Sequence, residues 1–223
     1  MFRDPSFRRG LRDGVVIFIA VGAFGVAFGT LAIEAGIAWW VVILASALVV
    51  SGAAQFAWLG LVGAGPIPVL ITTTGLALRH VPMSARMASL VGRESLRTRL
   101  ALAWVLTDET FGLTLSAARR GEPNLVAYKA AVDIQLFSGW LAGTAIGVAV
   151  GSRFDPTAWG AEAFFGILFV GLAAPLVRNR WDIAVAALAV GATFGAAALL
   201  PDAWQIAAAA AVAAGVGVVM PDE

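Results

Sequence analysis

Cysteine is absent from this sequence of 223 residues, and histidine and tyrosine each occur only once. Without cysteine the chain forms no disulfide and offers no thiolate, although this does not fix its compartment. The one histidine, His80, excludes a histidine-rich metal site, so we expect no metal and no cofactor. The motifs of zinc peptidases, phosphate-binding loops and Ser/His/Asp hydrolases are also missing. The sequence therefore predicts a protein that is not an enzyme.

Charged residues are scarce as well. They make up 13% of the chain, about half of their usual share in a soluble domain, whereas hydrophobic residues make up 60%. The mean hydropathy is +0.88. A soluble domain of this composition could not cover its surface with polar groups, so the sequence predicts an integral membrane protein embedded in a lipid bilayer. The net charge of +1 predicts no nucleic-acid partner.

Apolar runs divide the chain into candidate membrane segments of roughly 20 residues. Eight are predicted, at about 14–33, 38–62, 67–89, 100–118, 132–151, 158–177, 181–200 and 203–220. The first lacks an Ala-x-Ala cleavage site and is expected to stay in the protein. The predicted fold class is therefore an all-α polytopic transmembrane helix bundle of about 7–8 segments. Residues 1–223 are expected to form a single transmembrane transporter domain.

Basic residues predict the orientation, because Lys and Arg are enriched in cytoplasmic loops. The residues that mark cytoplasmic positions are Arg3, Arg8, Arg9 and Arg12, then Arg119, Arg120 and Lys129, then Arg178 and Arg180. They predict a cytoplasmic N-terminus. A further cluster, which eight simple spans would place outside, is Arg86, Arg93, Arg97 and Arg99. Either the rule fails there, or the segments near 67–89 and 100–118 are broken or re-entrant and bring this loop to the cytoplasmic side.

Polar side chains at membrane depth indicate candidate sites, because a charge at a helix centre costs about 3 kcal/mol on insertion. In the second segment, Gly52 follows Ser51 and is predicted to mark an unwound stretch with free carbonyls. Gln55 either binds substrate or makes an interhelical hydrogen bond. In the third segment, Arg79 and His80 precede Pro82, which is predicted to free the carbonyl of residue 78.

Arg79 could bind a carboxylate, and His80 could bind and release a proton. The alternative is that Arg79 sits at an interface and reaches lipid headgroups. In the fourth segment, Thr107 precedes two acids, Asp108 and Glu109, in an otherwise apolar run. Either one acid pairs with Arg79 and the other faces a cavity, or Thr107 caps a half-helix with both acids in its first turn.

Two further features belong to the fifth segment. Asp133 and Gln135 are predicted to lie at its start, where a plain helix beginning is favoured over a site. The ladder Gly139, Gly143, Gly147 and Gly151 repeats every fourth residue, and Gly25 and Gly29 share this spacing in the first segment. Such spacing lets backbones approach closely, so the ladder predicts a tight helix contact within the protomer or with a partner.

Several stretches resemble a known family. They are Phe28-Gly29, Ser51-Gly-Ala-Ala-Gln-Phe56, Leu78-Arg-His-Val-Pro-Met-Ser84 and Leu106-Thr-Asp-Glu-Thr-Phe111, followed by Trp140-Leu-Ala-Gly-Thr144 and Phe164-Phe-Gly-Ile-Leu-Phe169. In this order and spacing they resemble the AzlC-type family, the large subunit of two-component branched-chain amino acid exporters. The likeness covers most of residues 14–180.

The resemblance implies secondary active export of branched-chain amino acids, and sometimes methionine, across a bacterial-type inner membrane. It also implies a small hydrophobic partner of the AzlD type. The candidate substrate-binding residues are Ser51, Gly52, Gln55, Arg79, His80, Thr107, Asp108 and Glu109. Those that could also couple transport to protons are His80, Asp108 and Glu109. A channel-like pore and a membrane scaffold without transport remain as alternatives.

For a zwitterionic amino acid, Arg79 is expected to bind the carboxylate, and Asp108 or Glu109 the ammonium group. The predicted apolar pocket for its side chain consists of Phe56, Trp58, Phe111 and Leu113.

Overall fold

The computed structural model describes residues 3–91, 94–151 and 180–199, together with residues 212, 215 and 216. Within these residues it contains helices and no strand, which confirms the all-α class. The helices are α1 (Pro5–Glu34), α2 (Trp39–Leu48), α3 (Gly52–Gly60), α4 (Pro66–Ala77), α5 (His80–Val91), α6 (Leu96–Trp104), α7 (Asp108–Arg119), α8 (Leu125–Val150) and α9 (Arg180–Leu199). The predicted segments 158–177 and 203–220 lie outside the described residues.

Three of the described helices, α1, α8 and α9, are long and apolar enough to cross a membrane. The chain forms two compact units, residues 1–56 with 78–155 and residues 57–77 with 156–223. The first contains α1, α2, the start of α3 and α5 to α8, and the second contains the end of α3, α4 and α9. All contacts discussed below lie within the first unit. That residues 1–223 act as a single transporter domain stays a prediction.

Helices α1 and α8 form the centre of the first unit and run parallel, with glycines at their contact. A Cβ atom added to Gly139 would lie 2.6 Å from the carbonyl oxygen of Phe18, and one added to Gly143 would overlap the carbonyl oxygen of Gly22. A Cβ atom on Gly25 would lie 2.5 Å from the carbonyl oxygen of Trp140. The predicted glycine ladder is therefore confirmed as a tight helix contact, and its partner is α1.

The N-terminal caps of these two helices bind each other. Asp4 accepts a hydrogen bond from the Ser6 N–H at 2.8 Å, and Asn124 accepts one from the Ala127 N–H at 3.1 Å. The Asn124 amide also donates to the Asp4 carboxylate at 2.7 Å, which fixes both helix starts at one level. These caps explain why the predicted starts at 14 and 132 are wrong: each helix continues beyond its apolar run to a polar capping residue.

Helix breaks near residues 78 and 106 confirm that the predicted segments 67–89 and 100–118 are interrupted. The predicted second segment, 38–62, is also divided, because α2 ends at Leu48 and α3 begins at Gly52. The halves have 9 to 12 residues, so each extends about 14–18 Å and covers roughly half of a bilayer core.

The free carbonyl that the sequence predicts at residue 78, between α4 and α5, is not observed. The Leu78 carbonyl accepts a hydrogen bond from the Val81 N–H at 3.0 Å. Pro82 lies in the first turn of α5, where its missing N–H would have no helical partner in any case. The break therefore precedes the proline and does not result from a lost hydrogen bond within a continuous helix.

Helices α6 and α7 enter and leave the first unit at the same end. Glu94, just before α6, and Glu122, just after α7, line one cavity of about 470 Å³. Arg9 of α1 donates hydrogen bonds to the same Glu122. The outer ends of α6 and α7 therefore lie at one end of the first unit, and that the pair is re-entrant in a membrane stays a prediction.

This path removes the conflict in the arginine pattern. Arg97 and Arg99, in the first turn of α6, lie at the same end as Arg120 and the start of α1, where Asp13 and Arg120 form an ion pair at 3.5 Å. Arg97, Arg99 and Arg120 thus lie at one end of the first unit, as the rule for positive residues requires if that end faces one side of a membrane. That this side is the cytoplasmic one stays a prediction.

The pair Arg9–Glu122 predicts an acid-sensitive contribution to stability. Hydrogen bonds from the Arg9 guanidinium hold the pKa of the Glu122 carboxyl below its usual range. Such a carboxyl stabilises the fold above its unfolded-state pKa of about 4.3, and this stabilisation is lost as the pH falls through the folded-state value. We expect the Tm difference between wild type and Glu122→Gln in detergent to be constant from about pH 7 down to about pH 4.3 and to close at lower pH. A difference that stays constant would contradict this.

Candidate functional site

Three helix breaks meet at one cavity of about 310 Å³. Its lining comes from the break between α2 and α3, the start of α5, and the end of α6, and consists of Val50, Ser51, His80, Val81, Ser84, Ala103, Trp104 and Leu106. The Trp104 ring contacts Phe137, with ring centroids 6.1 Å apart, and Phe137 lies halfway along α8. The cavity therefore lies at about half the depth of a spanning helix. We call it the central cavity.

The break before α7 is built around Thr107. The Thr107 hydroxyl accepts from the Thr110 N–H at 3.4 Å, and the Thr110 hydroxyl accepts from the Thr107 N–H at 3.0 Å and donates to the Val105 carbonyl at 2.9 Å. Asp108 and Glu109 occupy the first turn of α7, where the helix dipole favours negative charge. The predicted capped half-helix is confirmed. The Thr107 hydroxyl is engaged in this cap, and its predicted contact with substrate stays a prediction.

Arg79 and Asp108 form the predicted ion pair across two breaks. The Arg79 Nη1 atom lies 3.4 Å from Asp108 Oδ2, and the two side chains are 38% and 47% exposed. A pair this exposed contributes little to stability in water. Among the described residues, Arg79 Nε is the buried side-chain nitrogen or oxygen without a hydrogen-bond partner. This guanidinium therefore keeps one donor for a further acceptor, next in sequence to His80 of the central cavity.

Gln55 seals the break between α2 and α3. Its side-chain amide donates to the Val49 carbonyl and, at 3.4 Å, to the Ala45 carbonyl, so it adds hydrogen bonds to two backbone carbonyls at the end of α2. Its amide oxygen accepts from the Ser46 hydroxyl at 3.3 Å. Gln55 is buried, so these contacts support the alternative of an interhelical hydrogen bond, and its role in substrate binding stays a prediction.

A buried polar and aromatic cluster beside Gln55 was not predicted. Ser46 bonds Thr144 at 2.9 Å and accepts from Trp140 Nε1 at 3.2 Å. The Trp140 ring stacks on Phe28 at 5.8 Å and meets Phe56 edge-on at 6.3 Å. Gly52 gives Trp140 room, because a Cβ atom there would lie 3.2 Å from the indole ring. The sequence signal that could have predicted this cluster is the small hydroxyl side chains of Ser46 and Thr144, which lie within apolar runs.

Three residues of the predicted apolar pocket pack in different places, and the pocket itself stays a prediction. Phe56 packs on Trp140, Phe111 packs against the cluster of Met87 and Leu106, and Leu113 packs in a different cluster. The apolar lining of the central cavity is supplied instead by Val50, Val81, Trp104 and Leu106.

Lys129 and Asp133 form a second unpredicted feature. Lys129 was expected in a cytoplasmic loop and Asp133 at a helix start, but both lie inside α8. The Lys129 Nζ atom is 2.7 Å from each carboxylate oxygen, and the side chains are 0% and 8% exposed. Gln135 also lies inside α8 and donates to the Leu11 carbonyl of α1 at 2.9 Å. Both predictions are wrong because α8 begins at Leu125, seven residues earlier than the apolar run suggests.

Comparison with known proteins supports the family resemblance that the sequence motifs indicate. The AzlC protein family matches residues 16–154. An uncharacterized membrane protein of Archaeoglobus fulgidus is 29% identical over 181 residues, which cover 80% of this chain and 79% of that protein. The inner membrane protein YgaZ of Escherichia coli is 26% identical over 200 residues, which cover 86% and 82%. A third relative, an uncharacterized membrane protein of Helicobacter pylori, is 26% identical over 168 residues, 75% and 74% of the two chains. No solved structure matches the chain.

Proposed function

The chain belongs to the AzlC protein family, whose relatives named above are membrane proteins, and from this premise we propose that it is a secondary active exporter of branched-chain amino acids. Methionine is a further proposed substrate. The protein works in an inner membrane with a small hydrophobic subunit of the AzlD type, its N-terminus is cytoplasmic, and it carries out no enzymatic reaction.

The observation that carries this proposal is the meeting of three helix breaks at the central cavity. In secondary transporters, substrate sites lie near the bilayer midplane and are formed by discontinuous helices, because their free ends offer donors and acceptors at membrane depth. The volume of about 310 Å³ lies at the lower end of the range for small-molecule sites and suits a single small solute.

The chemistry around the cavity fits a zwitterion with an apolar side chain. The unpartnered Arg79 Nε and the N-terminal end of α5 favour a carboxylate. Asp108, which already pairs with Arg79, offers a negative charge for an ammonium group. Val50, Val81 and Leu106 provide an apolar surface for a branched side chain. These supports apply to any small aliphatic amino acid, and the choice of branched-chain substrates follows from the family resemblance.

Reconstitution tests the proposal directly. The protein is placed in liposomes with and without a small AzlD-type subunit, and flux of labelled leucine, of glycine and of a small dye is measured. A carrier shows leucine exchange that saturates, discriminates against glycine and excludes the dye. Unselective flux that does not saturate would indicate a channel-like pore. No flux in either preparation, with the subunit still bound, would indicate a scaffold.

Arg79→Gln should weaken leucine transport in this assay. A hydrogen bond from a charged donor contributes about 1.5–3 kcal/mol, so we expect the half-saturating leucine concentration to rise roughly ten- to a hundredfold. The control is Arg86→Gln in α5, because Arg86 is exposed and its guanidinium bonds Ser89 within its own helix rather than Asp108. Equal effects of the two variants would remove Arg79 from the substrate site.

A further inference from the structure

The Lys129–Asp133 pair is separate from the central cavity and from the glycine contact. Because a helix rises about 1.5 Å per residue, the two residues lie about 6 and 12 Å from the start of α8. Helix α8, with 26 residues, extends about 39 Å and so exceeds a bilayer core of about 30 Å by about 9 Å, which places the pair near one edge of the core, where protein covers it.

Packing alone does not explain a charged pair that is buried in the protein. Removing two charges from water costs several kcal/mol each, and apolar residues of similar volume stabilise a protein as well or better. A buried ionisable pair in a membrane-spanning helix is therefore a candidate for a role in moving ions or protons. Among the described residues, the Lys129 ammonium and the Asp133 carboxylate bond only each other. The pair therefore forms no hydrogen bond that would hold α8 against another of these helices.

The pair lies between two cavities. Val126, Lys129, Asp133 and Phe137 follow at spacings of three or four residues and so share one face of α8. Val126 lines the cavity of about 470 Å³ near the helix starts, and the Phe137 ring contacts Trp104 of the central cavity. On this face of α8 the pair therefore lies between a residue that lines one cavity and a residue that contacts the lining of the other. The apolar cluster that separates them consists of Met87, Val91, Leu102 and Leu106.

Charged groups on the neighbouring helices are directed elsewhere. On α1, Arg9 pairs with Glu122, and Asp13 accepts from Tyr128 and pairs with Arg120. Helix α2 has no charged residue. The remaining titratable groups on α5, α6 and α7 are His80, Arg86, Arg97, Arg99, Asp108, Glu109 and Arg119, and none of them is a hydrogen-bond or ionic partner of the pair. Lys129 is therefore the charge that acts on Asp133.

We propose that Asp133 is the proton-binding group that couples transport to an inward proton gradient, with Lys129 as its counter-ion, an inference that rests on the proposed export function. A proton from the water of one cavity adds to a carboxylate oxygen of Asp133 and forms an O–H bond. Lys129 keeps its ammonium, so the pair changes from net charge zero to plus one. Release of that proton to the other cavity restores the ion pair, and one proton crosses per cycle.

The test uses the double variant Lys129→Met/Asp133→Leu of the full chain, reconstituted with its small subunit. Two leucine assays are compared: exchange without any pH gradient, and net transport driven by an imposed gradient, with a pH-sensitive dye inside the liposomes. We expect exchange within about twofold of wild type, and loss of more than about tenfold in both gradient-driven transport and leucine-dependent proton flux.

Gradient-driven transport that survives in the double variant, with proton flux intact, overturns the inference and leaves the export function standing. Absence of leucine exchange in wild type overturns the export function. A second measurement needs no substrate: infrared difference spectra between high and low pH should contain the band of a protonated carboxyl group that the double variant lacks. An unchanged band overturns the inference. Should the double variant fail to fold, Asp133→Glu serves, with coupling kept and its pH midpoint shifted.

Discussion

Gly143→Ala is expected to separate α1 from α8 and lower the free energy of unfolding by about 1–3 kcal/mol or more. A Cβ atom at this position would overlap the backbone carbonyl of Gly22, which cannot rotate away as a side chain could. Both helices have further glycines in the same contact, so relief at one position moves the whole interface. The measurement is thermal unfolding in detergent, followed by circular dichroism and by the elution volume of the folded protein.

Gly112→Ala is the matched control. Gly112 also lies inside a helix of the first unit, and a Cβ atom there would meet nothing within 4 Å. Alanine forms helix better than glycine by about 1 kcal/mol, so this variant should be as stable as wild type or slightly more. If Gly143→Ala unfolds at the wild-type temperature, the close contact between α1 and α8 is wrong.

The Lys129–Asp133 pair should show strong coupling between two substitutions. Lys129→Met alone, or Asp133→Leu alone, leaves one buried charge without its partner and should cost about 3–5 kcal/mol. The double variant removes both charges and places apolar side chains of similar volume there. Its stability should return to within about 1 kcal/mol of wild type, as measured by unfolding of the four proteins in detergent.

A surface pair provides the comparison. Arg12 and Asp13 approach to 3.5 Å, but the Arg12 side chain is 81% exposed. Arg12→Gln should therefore change stability by less than about 1 kcal/mol. Single variants of Lys129 and Asp133 that are as mild as Arg12→Gln would mean that water reaches the pair freely, which would contradict its burial.

Helix breaks were among the features that the sequence predicted well. Thr107, Asp108 and Glu109 interrupt an apolar run, and a capping residue followed by acids is a local signal for a helix start. Gly52 likewise indicated the break before α3. Local signals of this kind depend on backbone hydrogen bonding within a few residues, so tertiary structure does not override them.

The central cavity and the buried ion pair depend on contacts that the sequence does not specify. That Ser51 and His80 line one cavity follows from how the helices pack, and no spacing along the chain encodes it. Lys129 was misassigned because basic residues were treated as loop markers, although Asn124 offered a capping signal for an earlier helix start. Hydropathy reports where lipid covers a helix, and it does not report where protein covers one.

The parallel contact of α1 with α8 has a consequence for biosynthesis. The ribosome completes α1 at Glu34, but the glycines that α1 packs against are made only when α8 emerges, more than a hundred residues later. At about 5–20 residues per second, this leaves α1 without its partner for roughly ten seconds. During that time the translocon or a membrane chaperone must shield its glycine face, so depletion of such a factor should reduce the yield of this protein more than that of proteins whose first helix pairs with the second.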